Sequence, residues 1–559
     1  TQSRSSAASD VYKRQILDKG PLDSFTNDNF WTGEGNISGY ANAFYEQFLG
    51  YGNGNGYGDF YFKTLSDDQA GMSFAKWTYP DNAPSTSATW KNGWIEVRRA
   101  NIMLENVPTV ASLDEATKNH WLGVARLMRA WQYYHLVRMY GNLPWIDKAL
   151  NINDEGEIYG NREDRDMVMD KVLEDLDFAV TNIKDISSKT TWSRSLANAM
   201  KAEVCLYEGT FRKYRKNEDG QQAPDATGAA RYLTACKEAC LAVMSKGYKL
   251  NTSYQGNYNS TDLSSNPEMI LYKAYKEGLL MHSTIDYTCS STQISGMSKN
   301  AFESYLFKDG KPMALTSLNK SDEAPFQYGH LSLKAILAVR DKRLAQTIDT
   351  VLLYNGRGFT RFNTGMESTS STGYGVAKYD NEAIPEGFRS QSGKNYTHAP
   401  LFWLSVIYLN YAEACAELGN ITQDDLDKSI NLLKDRAGLP HLNPIVGFSD
   451  PANNHGVSDL IWEIRRERRC ELMFDNDNRY WDLIRWHQLD KLDTTKYPDI
   501  ILGANVANDM DGCEANKVGK YIDGSKDGSR IYDKKHYLYP IPTGQIALNP
   551  QLAPNNPGW

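Results

Sequence analysis

Apolar residues along this chain recur at helical spacing. In "WLGVARLMRAWQYYHLVRMYGNLPW", from Trp121 to Trp145, the residues Leu122, Ala125, Met128, Gln132 and Leu136 fall on one stripe, which Gly141 and Pro144 end. The next run, "DMVMDKVLEDLDFAVTNI", keeps the period and supplies an amphipathic partner. The pattern returns in "SLANAMKAEVCLYEGTFRKY" with "ARYLTACKEACLAVMSKGY", in "LSVIYLNYAEACAELGN" with "LDKSINLLKDRAGLP", and in "RRERRCELMFDNDNRYWDLIRW" with its neighbours. Short Gly, Asn or Pro breaks separate the runs. Each pair is too small to bury its own apolar faces, so the pairs must stack, as tetratricopeptide repeats do, although the spacing is degenerate. The predicted fold is mainly α. Four stacked helix pairs occupy about 90–248 and 400–490, a loop-rich inserted half with minor β structure fills 249–399, and a tail covers 490–559. The polar, patternless residues 1–15 read as non-native or disordered, leaving one domain over 16–559.

Charge changes the reading of one segment. Arg465, Arg466, Arg468 and Arg469 form a cluster of the kind that binds phosphate. The chain, however, has 61 Lys plus Arg against 69 Asp plus Glu, a net charge of -8, which argues against nucleic acid as a partner. Glu467 and Glu471 lie on the same helical face as the arginines, which predicts compensation by i,i+3 and i,i+4 pairs. Ile461, Ile464, Leu472 and Met473 keep apolar spacing, so the segment reads as a packed helix whose arginines bind carboxylates or cap carbonyls.

Other chemistry finds little support. The seven cysteines form no CxxC pair and several sit in apolar helical patterns, which supports neither a zinc site nor a disulfide framework. No apolar run reaches the ~18 residues of a membrane-spanning helix. "YGNGNGYGDF", from Tyr51 to Phe60, lacks the spacing and strand-to-helix context of a dinucleotide loop and reads as a flexible surface loop. "DGSKDGSRIYDK" begins like a calcium loop at Asp523, but Lys534 stands where a bidentate Glu is required. No acidic pair is singled out for glycosidase chemistry, and neither G-x-S-x-G nor H-E-x-x-H occurs, so no catalytic residue, metal or cofactor is assigned.

Several segments together carry a family resemblance. "ARLMRAWQYYHLVRMYGNLPWI", "AMKAEVCLYEGTFRKY", "SYLFKDGKPM", "YLNYAEACAELG", "LLKDRAGLP", "IRRERRCELMFDNDNRYWDLIRW" and "YLYPIPTGQIALNPQLAPNNPGW" resemble the successive signatures of the SusD/RagB family, in family order from about Leu17 to Trp559. The resemblance implies a surface-exposed outer-membrane lipoprotein of Bacteroidota that captures glycan and forms a lid over a SusC-like TonB-dependent transporter, without being an enzyme. It also implies a lipidated cysteine before the "PLDSF" segment, yet no cysteine precedes Cys205. A RagB-like oligopeptide-binding lid is the alternative within the family. A hydrolase or an intracellular repeat adaptor leaves "LYPIPTGQIALNP" unexplained.

Elimination over the thirteen tryptophans points to a ligand contact. Most fall in or beside scaffold helices, where burial is expected. Trp77 stands in a stretch without helical period, flanked by Tyr79, Pro80, Asp81 and Asn82. An indole covers the apolar face of a pyranose, and Asp81 and Asn82 offer partners for hydroxyl groups. Starch-binding relatives carry an aromatic cluster with an asparagine in the corresponding loop, which favours Trp77, Tyr79, Asp81 and Asn82. Tyr287, Gln293, Tyr328 and Tyr374 are expected as a second wall from the inserted half.

Overall fold

The structure, a computed structural model, describes residues 30–71, 77–290, 295–318, 332–352, 370–507, 516–525 and 528–559. Its long helices are α1 (Glu34–Asn42), α2 (Ala88–Asn106), α3 (Glu115–Tyr140), α4 (Arg165–Asn182), α5 (Arg194–Tyr214) and α6 (Ala226–Met244). The short α7 (Lys299–Ser304) is followed by α8 (Leu404–Glu417), α9 (Ile430–Ala437), α10 (Asp459–Glu471) and α11 (Asn478–Arg485). The helix starts follow local chemistry. Ser87, Asp114, Ser193, Asp225 and Ser458 each accept a backbone N–H of the first turn of α2, α3, α5, α6 and α10. At the C-terminal end of α3, Gly141 takes φ 72, which the sequence break anticipates.

Consecutive helices pack on one another from α2 to α6; α6 then meets α8, and α8 meets α10. This mainly α stack agrees with the helical periodicity. Helices α5 and α8 lie in the middle and are buried nearly all round. The α5–α6 crossing is close because α5 carries Gly209, where a Cβ would stand 2.7 Å from Leu233 Cγ. The third predicted pair is looser than expected, since α8 packs chiefly on α6 and α10 and only slightly on the two-turn α9.

Short strands tie the inserted half to this stack. Strands β2 (Met269–Lys273) and β4 (Ala399–Trp403) pair antiparallel, Met269 opposite Trp403 and Lys273 opposite Ala399, and β4 runs straight into α8. Strands β1 (Gln69–Gly71) and β3 (Ser295–Met297) form a second pair; β5 (Leu502–Asn505), β7 (Tyr521–Asp523) and β6 (Lys517–Val518) form a three-stranded sheet in that order.

The arginine-rich segment is a packed helix, but its charges are compensated differently from the prediction. Glu467 and Glu471 both bind Arg343, at 2.5 and 2.8 Å, and Glu471 also binds Arg436. Arg468 binds Asp482 and Arg469 binds Asp68, each at 2.8 Å. Of the i,i+3 pairs expected along α10, Arg466 with Glu463 is formed. The physical reason is burial. Intrahelical pairing suits a solvated face, whereas α10 is enclosed, and a buried charge needs partners from whichever elements surround it.

Candidate functional site

The glycine-rich loop after α1, expected as a surface loop, folds back on itself and is hydrogen-bonded to the inserted half. Gly50, Gly52 and Gly54 take φ 58, 90 and 57, and the loop folds back so tightly that a Cβ on Gly52 would stand 2.2 Å from the Gly56 carbonyl oxygen. The inserted half staples it down. The Gly54 N–H donates to Met281 O at 2.8 Å, Tyr275 Oη donates to Gly52 O at 2.9 Å, and Ser283 Oγ donates to Gly54 O at 2.7 Å. Tyr51 anchors the base by donating to Tyr258 O at 2.6 Å.

This anchoring pushes one ring outward. Tyr57 is 58% exposed; among the described residues, it and Tyr159 are the aromatic side chains left exposed. Tyr57 stacks on the half-buried Phe62, with centroids 4.5 Å apart and planes 19° apart. Tyr287 meets both edge-on, at 5.5 and 5.9 Å, and its hydroxyl donates to Asn55 O. The three rings form a shelf bordered by the exposed Asn53, Asn55 and Lys63. Beneath it, burial lifts the Asp59 carboxyl to about 6, against the pull of Lys63.

The predicted N-terminal loop has a different environment. Trp77 is half-buried; its ring stacks on His536 at 4.2 Å, its Nε1 donates to Ile531 O, and the Arg530 guanidinium lies 5.4 Å from its centroid. Tyr79 is buried against Tyr539, with its hydroxyl bonded to Tyr480 and His536 O. Its ring packs the loop onto the C-terminal tail and presents no open face. Asp81 and Asn82 are exposed.

The expected second wall is divided. Tyr287 joins the shelf, while Tyr374 is buried, parallel to Phe302 at 4.3 Å, in the wall of a separate cavity. Gln293 and Tyr328 lie outside the described residues. Sequence reasoning missed Tyr57 and Phe62. The available signal was a pair of tyrosines, Tyr51 and Tyr57, among alternating glycines, where helical elimination does not apply and nothing local tells the buried ring from the exposed one.

Comparisons with known proteins give one consistent result. Residues 242–559 match the family model described as the SusD family, and residues 22–206 match one described as "Starch-binding associating with outer membrane". SusD-like protein P2 of Formosa agariphila is 23% identical over 495 residues, which are 86% of this chain and 82% of that protein. A SusD-like protein of Bacteroides ovatus is 25% identical over 442 residues, covering 76% of this chain and 71% of that one. Among solved structures, a SusD-like carbohydrate-binding protein of Bacteroides fragilis superposes with a TM-score of 0.69 at 20% identity, covering 94% of this chain and 100% of that chain. A laminarin-binding SusD-like protein superposes with a TM-score of 0.57 at 18% identity, over 94% and 100% of the two chains.

Proposed function

This chain belongs to the SusD family, and from that premise we propose that it captures glycan at the cell surface and delivers it to a SusC-like TonB-dependent transporter of the outer membrane. In this reading it is a binding protein, not an enzyme, held at the membrane by an N-terminal lipid anchor. The observation that carries it is the Tyr57 ring, held out on a glycine loop and backed by Phe62 and Tyr287. What sets Tyr57 apart from a lone exposed ring is its backing: two further rings hold it so that its apolar body is available to a ligand while its hydroxyl stays in water. A pyranose suits it, because the sugar's apolar face lies on the ring while its hydroxyls meet Asn53, Asn55 and water. The Trp77 loop is a second contact, through the open part of the indole and the exposed Asp81 and Asn82.

A glycan array read beside a peptide library tests the ligand class. We expect glycan binding by the parent chain and roughly two- to tenfold weaker binding by Tyr57→Ala, from the ~0.5–1.5 kcal/mol typical of ring contacts. The melting temperature should hold, because the lost side chain is largely exposed. Binding to peptides alone would replace this reading with an oligopeptide-binding lid; glycan binding indifferent to Tyr57 would remove the shelf from it. Delivery is tested by mild-detergent purification of the membrane-anchored form, which should bring down a transporter barrel. Repeated recovery without one, ligand present, would count against delivery.

A further inference from the structure

A cavity of about 730 Å³ lies between α7, α10 and the chain from Trp486 to Asn505. Its volume is that of a site for a small organic ligand, several times what one water or inorganic ion needs. Most cations in its wall are matched. Arg466 binds Glu463 and Asp450, Arg469 binds Asp68, and Arg479 holds both oxygens of Asp67 at 2.7 Å.

Two buried cations are matched less completely. Arg465 is 4% exposed and gives Nη2 to Glu417 at 3.0 Å, leaving buried Nε and Nη1 without an acceptor. Lys491 is 9% exposed and makes no ion pair among the described residues; its ammonium lies 4.6 Å from the Trp462 ring centroid. Burial, reinforced first by Arg479 and then by Arg469 and Arg465, outweighs the pull of Asp67 and brings the Lys491 amine down to about 7. A largely buried amine without an ion-pair partner is destabilising unless something supplies oxygen atoms and negative charge. The Arg465 guanidinium lies 4.4 Å from the Trp486 ring centroid, so each of the two cations is held against an indole.

We propose that this cavity binds a small acidic ligand the size of a mono- or disaccharide, with its carboxylate or sulfate oxyanion on the Lys491 ammonium, in a wall that Arg465 also lines. The oxyanion accepts from the Lys491 ammonium, as charge-assisted hydrogen bonds do, and the Arg465 guanidinium adds positive charge in the same wall. The cavity shares no lining residue with the Tyr57 shelf, so it can be filled whether or not the shelf holds glycan.

Thermal shift and calorimetry with sodium glucuronate, sodium sulfate and glucose, at one ionic strength, provide the test. Glucuronate should raise the melting temperature and bind saturably, and glucose should do neither. Lys491→Met should weaken glucuronate at least tenfold while melting no lower than the parent, since it removes an unpaired buried charge and keeps the apolar stem. An equal, Lys491-dependent response to sulfate would identify the oxyanion alone as sufficient and still support the site. Parent and Lys491→Met responding alike to glucuronate, or no response beyond glucose from either anion, would overturn it. Tyr57→Ala, run beside them, should bind glucuronate like the parent, which separates failure of the cavity from failure of the shelf.

Discussion

Arg485→Met tests whether the arginines of α10 and α11 hold the scaffold together. Arg485 sits on α11 and donates to both oxygens of Glu413 on α8, at 2.5 and 2.8 Å, to Thr210 on α5 at 3.0 Å, and to Asp482 at 2.9 Å. The Arg485 and Glu413 side chains are 2% and 1% exposed. Burial alone would raise the Glu413 carboxyl, but Arg485, with Arg468 and Arg465 behind it, brings it from 4.5 down to about 2. At ~1.4 kcal/mol per pH unit this is about 3 kcal/mol of native-state interaction, within the ~3–5 kcal/mol expected when a buried pair loses one member. The chain's 559 residues imply an unfolding entropy near ~1.2 kcal/mol/K, so the melting temperature should fall by roughly 3–4 °C. Denaturant titration of the parent, Arg485→Met, Glu413→Gln and the double variant would give the coupling directly, expected at about 2–3 kcal/mol. A depressed carboxyl contributes stability that is complete above pH 4.5 and lost as the pH falls through about 2, and Arg485→Met should lack that loss. A single-variant change below ~0.5 kcal/mol, or no coupling in the cycle, would show that the network is not a strut.

Three further outcomes follow from the geometry. Trp77→Ala removes a half-buried ring stacked on His536 and should cost about 2 kcal/mol, lowering the melting temperature by about 2 °C; unchanged melting would show that the indole does not clamp the loop to the tail. Gly52→Ala places a Cβ against the Gly56 carbonyl at φ 90, so hydrogen exchange should quicken across residues 50–58 and glycan binding should fall, with little change in global melting; parent-like exchange would contradict the predicted clash. Burial raises the Asp475 carboxyl to about 6 from 3.8, despite the Lys378 partner at 2.6 Å. Its contribution is therefore complete below pH 3.8 and lost as the pH rises to 6, by about 3 kcal/mol, so Asp475→Asn should flatten the stability profile over that window; identical slopes would count against a raised value.

The sequence by itself determined the scaffold, because helical periodicity, capping residues and glycine stops act within a few residues of one another. The stripe through Met128 and Leu136, the Asp114 cap and Gly141 all appear where those local rules put them. The same locality explains the misassigned partners of α10. Intrahelical spacing is visible in a linear reading, whereas Arg469 pairs with Asp68 across 401 positions and Glu471 with Arg343 across 128. Only the tertiary structure decided which rings face water. Tyr79 and Tyr374 read like Tyr287 in the sequence, yet the tail covers Tyr79, Phe302 covers Tyr374, and Tyr287 joins the open shelf. Exposure depends on what the rest of the chain packs against a residue, and no neighbouring letter records it. The glycines around Tyr57 allow the loop to turn back on itself, but the contacts with Met281, Tyr275 and Ser283 hold the ring outward.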